Sequence, residues 1–448
     1  MQTVLIWGSS FLTAERIQIY EKQVLGQQVL VGQLRQGVDQ ALKQSPKALK
    51  ELSYQVGKKR SIWPLRKLVR EFSETGLLEL LPVWLVSPET LSNIFPLKKH
   101  LFDLLIFDEA SQLTVESGIP ALLRAKRVVV AGDEKQLPPM NLFRVTDEVD
   151  EEAEEIYATE EAESFLNLSK RRYPGHLLQW HYRSKYEELI NFSNHAFYDG
   201  YVQVAPNVEY RKDPAPILWH RVQGRWVNQC NEVEAMAVVE LLKQQLIGHA
   251  NRSVGIITFN MKQQEKIMDL IDRKTEEDPE FDAVYQQVMG REFDERVFVK
   301  NIENVQGDER DTIIFSIGYA PNEEGRVYNR FGQLNQQGGE NRLNVAITRA
   351  KEQIHVVSSI EPHELNVSGA KNLGPKLFQL YLKYAKATSE RDKDAVGQVI
   401  QEVNDLVNQS VSKRALNPQF DSDFEVQVYE RIREMGYDVE TQVGFSGY

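Results

Sequence analysis

The chain has 448 residues, 42% of them hydrophobic and 26% charged, which suits a globular protein with roughly two to four domains. Its single cysteine, Cys230, excludes a disulfide framework and a cysteine-based zinc site, and points to a reducing compartment. The formal net charge of -12 weighs against nucleic acid only in sum. Asp147 to Glu163 holds ten acids and no Lys or Arg, and the rest of the chain is close to neutral, so a local basic groove is compatible with it.

The first residues (Met1 to Trp7) carry no basic run and soon reach Glu15-Arg16, unlike a signal peptide. The greasiest window, Leu77 to Val86, is short and broken by Glu79 and Pro82, so no membrane span and a cytoplasmic location are expected. Residues 1 to about 75 are helix-rich in pattern. Lys58-Lys59-Arg60 and Arg66-Lys67 with Arg70 are basic, either a solvated face or a nucleic-acid surface. A phosphate-binding loop needs G-x-x-x-x-G-K-[ST], whose glycines let backbone amides cradle phosphate while the Lys neutralises it. Gly32 and Gly37 have the glycine spacing, but Val38-Asp39 follows, and no other candidate exists in the sequence.

Val83 to Val86 is expected as a buried strand. Leu104 to Phe107 is another, and it stops on Asp108-Glu109. A buried strand ending in two acids puts them at the carboxyl edge of a parallel sheet, where open α/β folds bind ligands. One carboxylate can hold Mg²⁺ against phosphates while the next orients an attacking water. Arg127 to Ala131 reads as a further buried strand, ending in Gly132-Asp133. The Pro138-Pro139 turn beyond it holds Gln136, whose amide can donate to a terminal phosphate and accept from a water.

Asp147 to Glu163 reads as a solvated insertion. Leu178 to Arg183 precedes an amphipathic helix through Phe197, and Val254 to Asn260 is a buried strand before a helix from Gln263 to Ile271. Thr275 to Asp282 is expected as a charged loop, Val297 to Val299 and Thr312 to Ser316 as strands, and residues 321 to 339 as a loop. Asn341 to Lys351 is expected as a helix carrying Arg342, Arg349 and Lys351, followed by a strand, Ile354 to Ser358. Residues 361–415 read as a helical linker. Two α/β blocks follow from this pattern, from about Trp84 to Phe143 and from about Phe192 to Ile360.

In order along the chain, Asp108-Glu109-Ala110-Ser111, Gly132 to Pro139, His181-Tyr182-Arg183, Val305 to Glu309 and Asn344 to Lys351 resemble motifs II to VI of superfamily 1 helicases. Their form is similar to the branch of the nonsense-mediated-decay RNA helicase, which typically moves 5′ to 3′. The resemblance implies two RecA-like parallel-sheet domains, a first at residues 1–170 that lacks motif I and is truncated, and a second at 171–360. It implies ATP and Mg²⁺ as cofactors and single-stranded DNA or RNA as the partner. Asp108 would bind the metal and Glu109 activate water. Gln136 would sense the terminal phosphate, and Arg183 and Arg349 would act as arginine fingers. Gly307 would permit close backbone approach, Glu309 would accept from the ribose, and Arg342 joins the nucleotide contacts. A non-catalytic nucleic-acid- or partner-binding module is the alternative.

Residues 416–448 are similar to the opening of a restriction-endonuclease-like domain of the very-short-patch-repair kind, found in some bacterial helicases, with Glu425 as its early acidic residue. With no motif I, the expectation is a piece of a longer polypeptide, with segments missing at both ends and weak or no ATP turnover of its own.

Overall fold

The computed structural model describes residues 31–32, 35–39, 42–139, 164–204, 215–327 and 331–415, with Arg431, Arg433 and Met435. They form two compact units. The first holds residues up to 134 with 138–139 and 164–173; the second holds 135–137 and 174 onward. Both are mixed α/β with parallel strands. The acidic run from Asp147 to Glu163, and Glu425 with most of residues 416–448, lie outside the described residues.

In the first unit, α1 (Pro46–Val56), α2 (Leu65–Phe72) and α3 (Pro88–Ile94) precede β1 (Phe102–Phe107). Next come α4 (Val115–Leu122), β2 (Ala125–Val130) and α5 (Phe165–Lys170). Ser87 and Ser164 start α3 and α5 by accepting the amides of Thr90 and Asn167. β1 and β2 pair in parallel from Phe102 opposite Ala125 to Phe107 opposite Val130. Phe107, Phe165, Phe72, Leu91 and Phe95 make the core. Arg124 is buried, and its guanidinium donates to the carbonyls of Phe95, Pro96 and Pro120, which fixes the entry to β1.

Three expectations fail in this unit. Val83 to Val86 forms no strand; it is an extended connection, and Leu85 is 94% exposed. β1 and β2, the latter expected as a buried strand over Arg127 to Ala131, are strands but are not buried, because Leu104, Ile106 and Val129 are exposed. Leu105 and Phe107 point to the face of the pleat that packs on the core, while Leu104 and Ile106 point to the opposite face, which meets water.

The second unit adds β3 (Trp180–His181), α6 (Glu188–Phe197), β4 (Gln203–Val204), β5 (Ile217–Arg221) and α7 (Glu232–Gly248). β6 (Val254–Thr258), α8 (Met261–Glu277), α9 (Pro279–Met289), β7 (Phe298–Asn301) and β8 (Arg310–Ser316) follow. α10 (Glu340–Ile347), β9 (Ala350–Ser358), α11 (Leu373–Glu390) and α12 (Lys393–Ala415) complete it. Five strands form one sheet in the order β5-β9-β8-β6-β7, every pair parallel. Successive residues point to opposite faces. Ile257, Ile313, Phe315 and Val356 therefore pack with α6, α10 and α11, while Ile256, Ile314 and Val357 pack with α7, α8 and α9. Helices on both faces explain why these strands read as continuous apolar runs.

Three boundaries move. The segment from Thr275 to Asp282 is the end of α8 and the start of α9, where Asp278 caps α9 by accepting the Phe281 amide. α10 stops at Ile347, and Arg349 and Lys351 lie beyond it, Lys351 in β9, because the β-branched and apolar run to Ser358 extends the strand backwards. Residues 361–415 contain α11, whose Leu377, Phe378, Tyr381, Leu382 and Tyr384 are buried against the sheet. α11 is core rather than connector. Phe378 is fully buried, with ring centroids 4.5 Å from Phe259 and 6.0 Å from Tyr319. Phe378→Ala is expected to lower the unfolding free energy of this unit by about 3–5 kcal/mol in urea titrations. A loss below about 1 kcal/mol would return α11 to the status of a surface linker.

Candidate functional site

In the first unit the two acids follow the last residue of β1, at the carboxyl edge of the pair. The Ala110 amide donates to Ala131 and the Ala131 amide to Phe107, so the ends of β1 and β2 are tied together. Glu109 has φ 51° and ψ 41°, left-handed values that a residue with a Cβ adopts at a cost. Its amide donates to Asp108 Oδ1 at 3.1 Å, and a short turn over Ala110–Gln112 follows. A Cβ built on Gly132 would lie 3.0 Å from the amide nitrogens of Ala110 and Ser111. Glycine at 132 thus lets the second strand tip press on the turn that carries the acids. Both acids are exposed. Among the described residues no group of three or more His, Cys, Asp or Glu could enclose a metal. Mg²⁺ commonly needs only one or two carboxylates, with phosphate oxygens and waters completing its shell, so Asp108 with Glu109 fits that ion when a nucleotide supplies the rest.

In the second unit four motifs distant in sequence meet. Glu309 binds two cations: Arg183 Nε lies 2.8 Å from one carboxylate oxygen and Lys351 Nζ 2.8 Å from the other. Burial pushes the Glu309 carboxyl up. The Lys351 hydrogen bond and the charges of Arg183, Lys351 and Arg349 outweigh it and hold the group below the usual carboxylate range. The Lys185 amide donates to the Lys351 carbonyl at 2.7 Å, fastening the Arg183 segment to β9. His181 accepts the Ser184 amide and is neutral at physiological pH, because burial and then Arg183 lower its pKa to about 4.

Gln136 belongs to this same unit. Its Oε1 accepts from Gln306 Nε2 at 3.4 Å and its carbonyl from Asn341 Nδ2 at 3.0 Å, while the Lys135 carbonyl accepts from Asn344 Nδ2 at 2.7 Å. Arg342 donates to Glu303 at 2.5 Å and to Gln333 at 2.7 Å. Arg342 Nη1 and Gln306 Oε1 are buried and find no partner among the described residues, so each can take a further polar group. Gly307 has φ +85° and open space where a Cβ would stand, so the visible demand for glycine is the turn itself. Arg349 is buried and donates to the Val345 carbonyl at 2.7 Å and to Thr348 Oγ1 at 3.0 Å. Arg183 is about 37% exposed on its side chain, as is its partner Glu309. An ion pair so exposed is worth about 0–1 kcal/mol, so Arg183 can exchange Glu309 for a phosphate cheaply. Arg349 would have to leave the carbonyls of Val345 and Asp308 and the Thr348 hydroxyl.

Two segments of the chain match family models, each described as an AAA domain: residues 89–142 match one and residues 161–361 the other. These segments are of the superfamily 1 helicase type. An uncharacterized ATP-dependent helicase of Mycoplasma genitalium is 38% identical over 71% of this chain and 29% of its own length. A homologue of it in Mycoplasma pneumoniae is 35% identical over 80% of this chain and 31% of its own length. The chain thus spans less than a third of either relative. A DNA replication ATP-dependent helicase/nuclease of Gallus gallus is 26% identical over 58% of this chain and 23% of its own length. Among solved structures, the C-terminal domain of a possible DNA helicase from Lactobacillus plantarum is 17% identical, covers 42% of this chain and 95% of that one, and aligns at a TM-score of 0.22. No helix among the described residues is long and apolar enough to cross a membrane.

One group in this helicase-type unit was not singled out from sequence. Glu234, on α7, is fully buried. It accepts from Ser316 Oγ (2.8 Å) and the Gly318 amide (2.6 Å), which lie at and just beyond the end of β8, and from Asn231 Nδ2 (3.1 Å). Gln263 on α8 adds bonds to Ser316 Oγ and to the Asn231 backbone. The carboxyl ends of the central strands are thereby locked, while Glu309, Arg349 and Lys351 stand near the opposite, amino ends of β8 and β9. Burial pushes Glu234 up to about 7, against the hydrogen bonds from Gly318, Ser316 and Ser359. An unfolded glutamate titrates near 4.3. Between those values the folded protein holds on Glu234 a proton that the unfolded chain has lost, so this group's contribution to stability falls as pH rises from about 4.3 to about 7. Burial lowers the pKa of His181, His220 and His355 in the same unit, and these groups act in the opposite direction, so the expected signature is a difference: the melting temperature of the wild type should fall relative to that of Glu234→Gln across the window. A difference between the two melting temperatures that is the same at pH 5 and at pH 7.5 would contradict the assignment.

Proposed function

We propose that this chain serves an ATP-dependent superfamily 1 helicase, in which hydrolysis between two RecA-like domains, residues 1–170 and 171–360, drives movement on a single strand of DNA or RNA. What supports the reading is the convergence of Gln136, Arg183, Gln306, Glu309, Arg342 and Arg349 within one unit, with two unpartnered buried polar atoms among them. Asp108 would hold Mg²⁺, which when bound orients and neutralises the phosphates. Glu109, fixed in its left-handed turn, aligns and deprotonates the attacking water. Gln136 donates its amide to the terminal phosphate from a backbone already held by Asn341. Arg183 leaves Glu309 for the transferring phosphoryl group, and Glu309 is then free to accept from the ribose while Lys351 keeps it ionised. Arg349 joins Arg183 as a second cation once the Thr348 turn loosens, and Arg342 offers Nη1 to the nucleotide. Residues 416–448 are read as the start of an endonuclease-like domain.

A second reading, a strand-binding module without turnover, is favoured by one observation: the sequence has no G-x-x-x-x-G-K-[ST] loop. One assay separates the two. ATP hydrolysis by the 448-residue chain is measured with and without single-stranded DNA or RNA, beside Glu109→Gln. On the first reading, turnover is weak, rises with the strand, and falls by a factor of about 10²–10⁴ in Glu109→Gln. Strand binding with no turnover selects the second reading. Turnover indifferent both to the strand and to Glu109 would refute the proposal.

A further inference from the structure

Residues 58–70 lie before both matched segments and read KKRSIWPLRKLVR, with six cations and no acid. They join the end of α1 to α2. The apolar residues of this stretch hold it down: Val69 and Phe72 are buried, and Trp63 stacks on Phe72 with centroids 6.4 Å apart and rings inclined 22°. The charged residues face out. Lys59, Arg60, Arg66, Lys67 and Arg70 are exposed and Lys58 is half-buried.

In the second unit lysines such as Lys243, Lys266, Lys274 and Lys386 sit on carboxylates. Among the described residues none of the six cations from Lys58 to Arg70 has a carboxylate within 4.0 Å. Two of them rest on aromatic rings instead. Lys67 Nζ stands 3.7 Å from the centre of Trp63, and Lys58 Nζ stands 4.8 Å from that of Tyr54 and 5.8 Å from that of Trp63. A ring attracts an ammonium through its quadrupole and so orients it without cancelling its charge. A carboxylate would cancel it. The arrangement therefore keeps a fixed positive surface on a chain whose net charge is -12.

The same residues work against their own helix. Arg66 and Arg70 are like charges four residues apart on α2, which repel. Arg66 and Lys67 also occupy its first turn, the positive end of the helix dipole, where acids are stabilising. Pro64 at the N-cap supplies no side-chain acceptor to relieve the free amides. Phosphates arriving at this surface would relieve both conflicts. Tyr54 is 62% exposed beside the cations, and an exposed ring is of use to an unstacked base. An acidic peptide would match the charge and leave the ring idle.

We propose that Lys58, Lys59, Arg60, Arg66, Lys67 and Arg70, arrayed around Tyr54 and Trp63, bind the phosphate backbone of a single-stranded polynucleotide outside the helicase-type segments. The choice of a polynucleotide over another polyanion rests on the helicase reading above; the positive surface does not.

The test is binding of short oligothymidylate DNA and oligouridylate RNA to the full chain, by fluorescence anisotropy, across about 50–200 mM salt. The variant carries Lys59→Ala, Arg60→Ala, Arg66→Ala and Arg70→Ala together. It is expected to bind at least about tenfold more weakly at the low-salt end, and its log–log salt slope should shrink by about 2–3, since each phosphate contact on a single strand contributes about 0.7. Its thermal melt should be unchanged or slightly higher, because like charges have been removed. Tyr54→Ala should weaken binding about fivefold or more with the salt slope intact. The DNA and RNA arms report which polynucleotide is preferred. Wild-type affinity and slope in the fourfold variant would overturn this site and leave the helicase reading standing. Polyglutamate bound as tightly as the oligonucleotides, and lost in the same variant, would overturn the polynucleotide as partner in favour of an acidic protein segment. Strand binding lost in the variant, in a chain whose ATP turnover ignores both the strand and Glu109, would uphold this site while the helicase reading fell.

Discussion

A carboxylate with no contact with water holds the second unit's sheet together. Glu234 joins α7 to β8 and to the segment just past β9, and Gln263 brings α8 into the same network. Isolated in an apolar core, a charged group would be intolerable. Here, hydrogen-bond donors converge on it, and burial raises its proton affinity until the charge itself becomes optional near neutrality. The outcome is one rigid edge. The ends of β8 and β9 are tied together there, and their opposite ends carry a different kind of interaction.

That other end is held more loosely, and this suits its chemistry. Arg183, Glu309 and Lys351 share charge across half-exposed side chains, so their pairing can be exchanged at little cost. Gln306 and Arg342 are fixed by neutral or charged hydrogen bonds that leave polar atoms over. Rigid backbone and exchangeable side chains together are what a site needs if it is to meet a phosphate that arrives, changes charge and leaves. In the first unit the same division appears on a smaller scale. Gly132 presses against the Ala110–Ser111 turn and sets the backbone, while Asp108 and Glu109 remain exposed.

The central strands were legible in the sequence because burial on both faces leaves an unbroken apolar run, as in Val254 to Thr258 and Thr312 to Ser316. The same rule misled at Val83 to Val86, where apolar residues line an exposed connection, and at Leu104 and Ile106, which lack cover on one face. α11 looked like a linker because its lysines and tyrosines dilute the apolar stripe, yet Tyr381 and Tyr384 are themselves core residues. Motif order pointed to the site residues, but their partners were invisible, since the bonds from Arg183 to Glu309 and from Asn341 to Gln136 span long stretches of chain. Glu234 was half legible. Asn231 followed three residues later by an acid is a helix-start signature, which predicts the cap and places the acid in water. Its burial depends on Ser316, Gly318 and Ser359, which no local pattern announces.

The central claim is that the acids of the first unit and the arginines of the second serve one nucleotide. Hydrogen–deuterium exchange with and without ATP and Mg²⁺, in the presence of a single strand, addresses it most directly. The account predicts slowed exchange of the backbone at Phe107–Gln112 and at Val345–Lys351 together, and loss of both effects in Asp108→Asn. Protection confined to one of these stretches, or protection that survives Asp108→Asn, would contradict it.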